Sequence, residues 1–104
     1  MKLVTIKVNR EPTAELTGYL FEYAGLRLVV IQEIVGYWWV VYEYSTGRRA
    51  NNKADKTRKR TIEIMKQEFD ARGSVQICQA TQMAIEESGI LNPKTCNQTY
   101  FTPQ

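Results

Sequence analysis

The sequence predicts a two-layer α+β domain, in which an antiparallel meander of three to four strands is followed by two helices that pack on it. Two observations predict this fold. Residues 4–45 alternate between polar and apolar side chains and are interrupted by short glycine turns, whereas residues 57–89 carry apolar side chains at helical spacing. A chain of 104 residues has the length of one domain. We therefore assign residues 1–104 to a single domain, with the polar residues 92–104 as an extended or flexible tail.

Four segments are predicted to be β-strands: the first two show the period of two of a half-buried strand, and the last two are rich in branched apolar or aromatic residues. In the first, Val4, Ile6 and Val8 point to one side of the strand, and the others are predicted over residues 15–24, 26–35 and 37–45. Short turns that contain glycine separate the last three strands, so neighbouring strands are expected to pair antiparallel. One face of the sheet then lies on the helices. We expect the other face to be open to water or to a partner and to carry some of the aromatic residues.

The polar segment 48–55 has lost this alternation and predicts a loop, with a short extra strand at its start as the alternative. Asp55 or Thr57 is predicted to supply the N-cap of the first helix, and Gly73 follows where a C-cap glycine belongs. Ser74 is predicted to cap a second helix, which Gly89 ends. The buried stripe of the first helix is predicted from three apolar residues at helical spacing: Ile62, Met65 and Phe69.

The composition excludes several kinds of chemistry. The chain contains no histidine and two cysteines, Cys78 and Cys96. Nucleophile pairs of serine or cysteine with histidine, and a four-ligand zinc site of cysteine and histidine, are therefore excluded. No spacing of carboxylates or nucleophiles indicates a catalytic site, so we predict a non-enzymatic protein without a metal or a cofactor. Reduced cysteines and a Cys78–Cys96 disulfide are both open at this point.

The apolar segments are too short for export or for membrane insertion. The first eight residues alternate in polarity instead of forming the unbroken apolar core of a secretory signal. The longest apolar runs, residues 28–31 and 37–42, are far shorter than the roughly 20 residues that cross a bilayer. We therefore predict a cytoplasmic protein without a membrane partner.

Half of the positive charge lies in residues 48–60, called the basic segment below. It holds seven of the fourteen lysines and arginines and one acidic residue, which gives a net charge of +6. The other seven basic and ten acidic residues give −3. This asymmetry indicates an anionic partner. The basic residues of the segment are Arg48, Arg49, Lys53, Lys56, Arg58, Lys59 and Arg60.

The position of these charges favours a binding role over a merely solvated surface. A helix N-terminus carries partial positive charge, so each cation there is unfavourable by roughly 0.3–1 kcal/mol before screening. Four of the seven cations stand at this helix start, and the same geometry suits a phosphate. We predict that the seven residues bind DNA or RNA, mainly through phosphates. Arg58 has an alternative role, because it precedes Ile62 by four residues and can pack beneath the sheet edge or pair with a carboxylate.

Aromatic residues of the fourth predicted strand are the second candidate contact. Alternation places Tyr37 and Trp39 on one face, where we predict that they stack on bases, with core packing as the alternative. The alternative function is a protein-interaction module or inhibitor that uses the aromatic sheet face, or the basic segment against an acidic protein. An exposed aromatic face or an unpaired edge strand would also favour a homodimer.

Residues 38–69 carry a resemblance to known proteins. A strand, the turn STGR (45–48), a loop, and then KTRK (56–59) opening a helix at TIE (61–63) resemble small uncharacterised proteins carried by bacterial phages and mobile elements. The resemblance implies a bacterial, cytoplasmic, accessory role, which includes inhibitors of host machinery as well as nucleic-acid binders. That group has no common activity, so no functional residue is transferred from it.

Overall fold

The computed structural model describes residues 1–10 and 12–92, which form four strands and two helices. The strands are β1 (Lys2–Val8), β2 (Ala14–Tyr23), β3 (Leu26–Gln32) and β4 (Trp39–Glu43), and the helices are α1 (Arg58–Arg72) and α2 (Ser74–Ser88). The predicted α+β meander followed by two helices is confirmed. The tail predicted over residues 92–104 lies, apart from Asn92, outside the described residues.

The sheet has the order β1-β2-β3-β4, and each neighbouring pair is antiparallel. Ala24 and Gly25 join β2 to β3 with φ angles of 55° and 80°, as a type I′ hairpin requires. The third and fourth strands are shorter than predicted, because the Glu33 amide donates to the Trp38 carbonyl at 2.8 Å and closes the intervening residues into a turn. Tyr37 has a φ of 57° in this turn, a left-handed conformation that cannot continue a strand.

Both helices pack on one face of the sheet. The side chains of Leu28 and Val30 in β3 join the core on this face, whereas those of Val29 and Ile31 join a second core on the opposite face. The helices contribute four buried residues to the first core: Ile62, Met65, Phe69 and Ile77. The buried stripe predicted for α1 is therefore confirmed.

The opposite face of the sheet is also buried, so the expectation of an open face with aromatic residues is wrong. Tyr42 and Tyr44, the aromatic residues of this face, are buried inside the second core. That core contains residues from both edge strands and the two strands between them: Ile6, Val8, Leu20, Val29, Ile31, Val40, Tyr42 and Tyr44. The sheet is therefore coiled, and it covers its own second face.

Hydrogen bonds show how the two edges of the coiled sheet meet. The Asn9 amide donates to the Gly47 carbonyl at 2.7 Å, and the Asn92 side-chain amide donates to the carbonyls of Lys7 at 2.7 Å and Tyr44 at 2.8 Å. A Cβ atom on Gly47 would lie 2.4 Å from the Lys7 carbonyl oxygen, so glycine is required where the edges approach. The turn after β4 and Asn92 therefore join the first strand to the last.

The two helices share one glycine. Gly73 ends α1 as predicted, by donating its amide to the Phe69 carbonyl at 2.9 Å. It also occupies the N-cap position of α2, so the prediction that Ser74 caps this helix is wrong. Ser74 is instead the first residue of α2, because Gly73 is the single residue between the two helices. Gly89 ends α2 as predicted.

Three further findings concern membranes, cysteines and metals. Within residues 1–10 and 12–92, no helix is long and apolar enough to cross a bilayer. Cys78 is a free, exposed thiol on α2, whereas Cys96 lies outside the described residues. The described part of the chain contains no group of three or more cysteine, aspartate or glutamate side chains that could hold a metal ion.

Candidate nucleic-acid interface

The first half of the basic segment runs back along β4 as a loop. Backbone hydrogen bonds of 2.7–2.9 Å join three pairs of residues: Glu43 with Arg48, Val41 with Ala50, and Trp39 with Asp55. The described part of the segment forms isolated bridges at Arg49 and at Asp55, and the alternative of a short extra strand at its start is not found there. This pairing returns the chain to the start of β4 and brings Lys56 beside Trp38.

The Asn51 side chain stabilises this loop through hydrogen bonds to the backbone. Its side chain is buried, with 3% of the residue exposed, and its Oδ1 accepts from the Val41 amide at 3.1 Å. Its Nδ2 donates to the Lys53 carbonyl at 2.9 Å. The sequence predicted a loop without this internal support, since nothing in the sequence distinguishes Asn51 from the exposed Asn52 beside it.

The start of α1 carries a cluster of positive charge, and its first turn has no acidic residue. Thr57 is the N-cap, since its Oγ1 accepts from the Arg60 amide at 3.2 Å, and Asp55 supports it by accepting from the Thr57 amide at 3.1 Å. Arg58, Lys59 and Arg60 fill the first turn, which contains no acidic residue. The cations predicted at the positive end of the helix dipole are therefore present in the structure.

Aromatic rings hold two of these cations. The Lys56 Nζ lies 4.9 Å from the centroid of the Trp38 ring, and the Arg58 Cζ lies 4.4 Å from the centroid of the Tyr19 ring. An exposed cation–π contact is worth about 0.5–1 kcal/mol, which offsets most of the unfavourable interaction with the helix dipole. The Arg58 guanidinium thus contacts a ring of β2, a strand inside the sheet, instead of packing its stem beneath the sheet edge, and no carboxylate of residues 1–10 and 12–92 pairs with it.

Internal ion pairs neutralise little of this charge. Arg60 lies 3.5 Å from Glu63 with both side chains about half exposed, so the pair contributes at most about 0.5 kcal/mol. Among residues 1–10 and 12–92, no carboxylate oxygen lies within 4.0 Å of the charged groups of four exposed residues: Lys53, Lys56, Arg58 and Lys59. Together with Arg60 these four residues form what we call the helix-start surface.

The other two predicted basic residues are placed differently. The Arg49 guanidinium donates to the carbonyls of Asn51 at 2.9 Å and Asn52 at 3.3 Å, so it helps to order the loop. Arg48 is half-buried and, with Arg72, lines a cavity of about 220 Å³ between the loop and the helices. Arg72 is the last residue of the 15-residue α1, roughly 20 Å along the helix axis from its first turn. Arg48 therefore lies at the other end of α1 from the helix-start surface.

Tyr37 and Trp39 do not share a face of the sheet, contrary to the prediction, because Tyr37 lies in the turn before β4. Tyr37 is exposed, whereas Trp39 is half-buried and packs on Tyr19 with 6.5 Å between the ring centroids. Trp38, which alternation placed on the face opposite Tyr37 and Trp39, is the exposed tryptophan. The turn signal of Gly36 was the one feature of the sequence that could have moved Trp38 out of the strand.

The turn between β3 and β4 carries an exposed apolar patch, residues 34–38, called the apolar tip below. The exposed fractions are 82% for Ile34, 87% for Val35, 65% for Tyr37 and 43% for Trp38. Adjacent exposed apolar side chains usually mark a binding surface. Because Trp38 contacts Lys56, the apolar tip and the helix-start surface form one continuous region.

The chain matches no protein-family model, no curated protein and no solved structure. The resemblance of residues 38–69 to phage and mobile-element proteins therefore stays a prediction. The helix-start surface and the apolar tip are the features of the structure that bear on function.

Proposed function

We propose that this protein is a small, non-enzymatic accessory module that binds nucleic acid through the helix-start surface, in the cytoplasm of a bacterial cell. The observation that carries the proposal is the set of exposed cations at the start of α1, four of which have no carboxylate within 4.0 Å among the residues that the structure describes. A local arrangement that is unfavourable and is not neutralised by the protein's own acids is expected where an anion binds. The phosphates of DNA or RNA supply such anions in a row.

The five cations suit contacts with several phosphates at once. Arg58 and Lys56 are held over aromatic rings, which limits the loss of side-chain freedom when a ligand binds. Arg49 is engaged with the loop backbone, and Arg48 lies at the far end of α1, so we assign phosphate contact to the helix-start surface alone. Exposed Tyr37 and Trp38 add aromatic rings beside the cations, and Trp39 adds none because it packs on Tyr19.

Binding measured against salt concentration tests the proposal. With four or five phosphates engaged, log K should fall against log salt with a slope of about −4 on duplex DNA, and slightly less steeply on single strands. The double variant Lys56→Gln/Lys59→Gln should bind more weakly and reduce the slope by about 2, which is about 1 for each lost contact. A matched control is Lys2→Gln/Lys7→Gln, which removes the same charge from exposed residues of β1. Equal weakening by the two double variants, or no binding to any DNA or RNA at low salt, would contradict the proposal.

A second candidate function is a protein-interaction module, and the exposure of the apolar tip favours it. The sheet face that first suggested this function is buried, so the contact surface would instead be the tip with the adjacent cations, facing an acidic protein or a second copy of this chain. An apolar protein interface should survive salt concentrations that remove phosphate contacts. A complex that persists at high salt and is lost on Val35→Asp would support this candidate over nucleic acid.

A further inference from the structure

A cavity of about 400 Å³ opens beside the apolar tip. Its volume falls in the range of roughly 300–1,000 Å³ that is typical of ligand clefts. Its lining combines apolar residues, which include Val35, Trp38 and Val40, with three charged residues, Arg10, Glu33 and Arg49. Such a lining suits a flat ring with a polar edge.

The buried Tyr42 forms hydrogen bonds with two charged residues of the cavity, Arg10 and Glu33. Its hydroxyl donates to Glu33 Oε2 at 2.8 Å, while Arg10 donates to the Tyr42 hydroxyl oxygen and, at 3.2 Å, to Glu33 Oε2. Burial, followed by the hydrogen bond and charge of Glu33, raises the pKa of Tyr42, so the hydroxyl stays protonated as a donor. The Glu33 side chain therefore has a defined position at the edge of the cavity.

Glu33 and Arg10 keep hydrogen-bonding capacity for a ligand. The Glu33 side chain is 24% exposed; its Oε2 already accepts from Tyr42 and Arg10, whereas its Oε1 accepts only from Arg10, at 3.5 Å, in the described hydrogen bonds, so the open acceptor capacity is on Oε1. All the described hydrogen bonds of the Arg10 guanidinium come from one nitrogen, Nη2, so donors on its other nitrogens remain. The cavity thus presents a carboxylate acceptor next to guanidinium donors.

We propose that this cavity binds one unpaired guanine base of a single-stranded nucleic acid whose phosphates lie on the helix-start surface. The inference rests on the proposed function and specifies its ligand. Guanine presents N1–H and its amino group side by side, so both can donate to the open Oε1 of Glu33, and the neighbouring O6 accepts from Arg10. Adenine and cytosine present one amino donor beside an acceptor nitrogen, and thymine and uracil present one N–H between two carbonyls. None of these four bases gives a carboxylate two adjacent donors.

The apolar tip fits a single strand better than a duplex or a membrane. Trp38 and Tyr37 supply rings for stacking, and exposed Ile34 and Val35 supply the kind of wedge that separates neighbouring bases. In a duplex the Watson–Crick edge of guanine is already paired and cannot reach Glu33. An anionic membrane would accept apolar and basic residues, but it would also bring the Glu33 carboxylate at the base of the tip against negative headgroups.

Affinities for labelled oligonucleotides, measured by fluorescence anisotropy at one low salt concentration, test the inference. The probes are thymidine strands of about 12 nucleotides, within the roughly 4–16-nucleotide sites of small single-strand-binding domains. Each carries one central guanine, adenine, cytosine or thymine, and a duplex of the same length completes the set. We expect the guanine strand to bind wild-type protein about 5- to 150-fold more tightly than the other three, as one good bidentate base contact allows.

Two variants locate this preference. Glu33→Gln should abolish the preference for guanine while leaving the affinity for the all-thymine strand within about twofold, since phosphate contacts do not depend on the base. Glu22→Gln, an exposed glutamate in β2, is the matched control and should keep the preference. Trp38→Ala should weaken binding of all four strands by about 5- to 150-fold through loss of stacking. The melting temperature of each variant shows whether it is folded. The base preference of the wild-type protein tests the inference even where a variant does not fold.

Equal affinity of the wild-type protein for the four strands overturns the inference, as does duplex binding as tight as single-strand binding or a preference that survives in Glu33→Gln. In each of these cases a salt slope of about −4 would leave nucleic-acid binding standing. Failure to bind any oligonucleotide overturns the inference and the proposed function together. Binding to vesicles of phosphatidylcholine and phosphatidylserine with no binding to oligonucleotides would do the same.

Discussion

Asn51→Ala should destabilise the protein, because Asn51 provides the acceptor for a buried backbone amide. The Val41 amide donates to Asn51 Oδ1 at 3.1 Å inside the structure, and alanine offers no replacement. A buried donor left without a partner costs about 1–3 kcal/mol. The other contacts of Asn51 add little, because Lys53 is exposed and its carbonyl can turn to water, and Arg49 keeps its bond to the Asn51 backbone carbonyl.

Urea unfolding followed by circular dichroism measures this effect. We expect the free energy of unfolding to fall by about 1–3 kcal/mol with an unchanged m-value, and the melting temperature to fall by about 4–8 °C for each kcal/mol. Asn52→Ala is the matched control, since Asn52 is the exposed neighbour and uses only its backbone in the described hydrogen bonds. It should stay within about 0.5 kcal/mol of wild type. If Asn51→Ala and Asn52→Ala lower the free energy of unfolding by the same small amount, the loop does not depend on the Asn51 side chain, which contradicts the prediction.

Three further predictions concern the aromatic residues. Trp39→Ala should lower the free energy of unfolding by about 2–4 kcal/mol, because the ring packs on Tyr19 in the core under the helices, and a loss below about 1 kcal/mol in urea unfolding would contradict this placement. Tyr37→Ala should leave the melting temperature nearly unchanged and weaken binding of single strands; a clear drop in melting temperature would show that the exposed ring supports the fold. Because the folded pKa of Tyr42 is raised above its ordinary value of 10.0, the stability it contributes is complete below pH 10.0 and is lost as the pH rises above that value. Urea unfolding from about pH 8 to 11 should therefore show a smaller loss of stability in Tyr42→Phe than in wild type, and identical pH profiles would contradict the role of Tyr42.

The fold was predictable wherever one local pattern decided the structure. Alternation in β1 and the stripe of Ile62, Met65 and Phe69 in α1 each reported a buried face directly. The Ala24-Gly25 turn was predictable for the same reason, since positive φ angles at two adjacent residues are a local requirement. The ends of β3 and β4 were not, because residues 34–38 continue the branched apolar and aromatic composition of the strands although a backbone hydrogen bond closes them into a turn.

The candidate site was predictable in its charge and not in its contacts. Sequence spacing located the cations at the helix start, including Arg58, but could not show that Arg58 meets Tyr19 from a strand 39 residues earlier in the chain. Alternation placed Tyr37 and Trp39 on one face because it was extended through the turn, and it did not show that Trp38 is exposed. The cavity with Arg10 and Glu33 was not predictable, because these two residues follow different strands that only the coiled sheet brings together.

The order of the elements, the boundaries of α1 and the positive charge before it could all be read from the sequence. Periodicity, capping residues and charge are properties of neighbouring positions in the chain, so they need no tertiary contact. The tertiary structure decided which surfaces remain exposed. Coiling joined β1 to the turn after β4 and buried the second sheet face, so that the apolar tip, and not the sheet, carries the accessible aromatic rings. Coiling depends on contacts between residues far apart in the chain, such as Lys7 with Asn92, and no local pattern records those contacts.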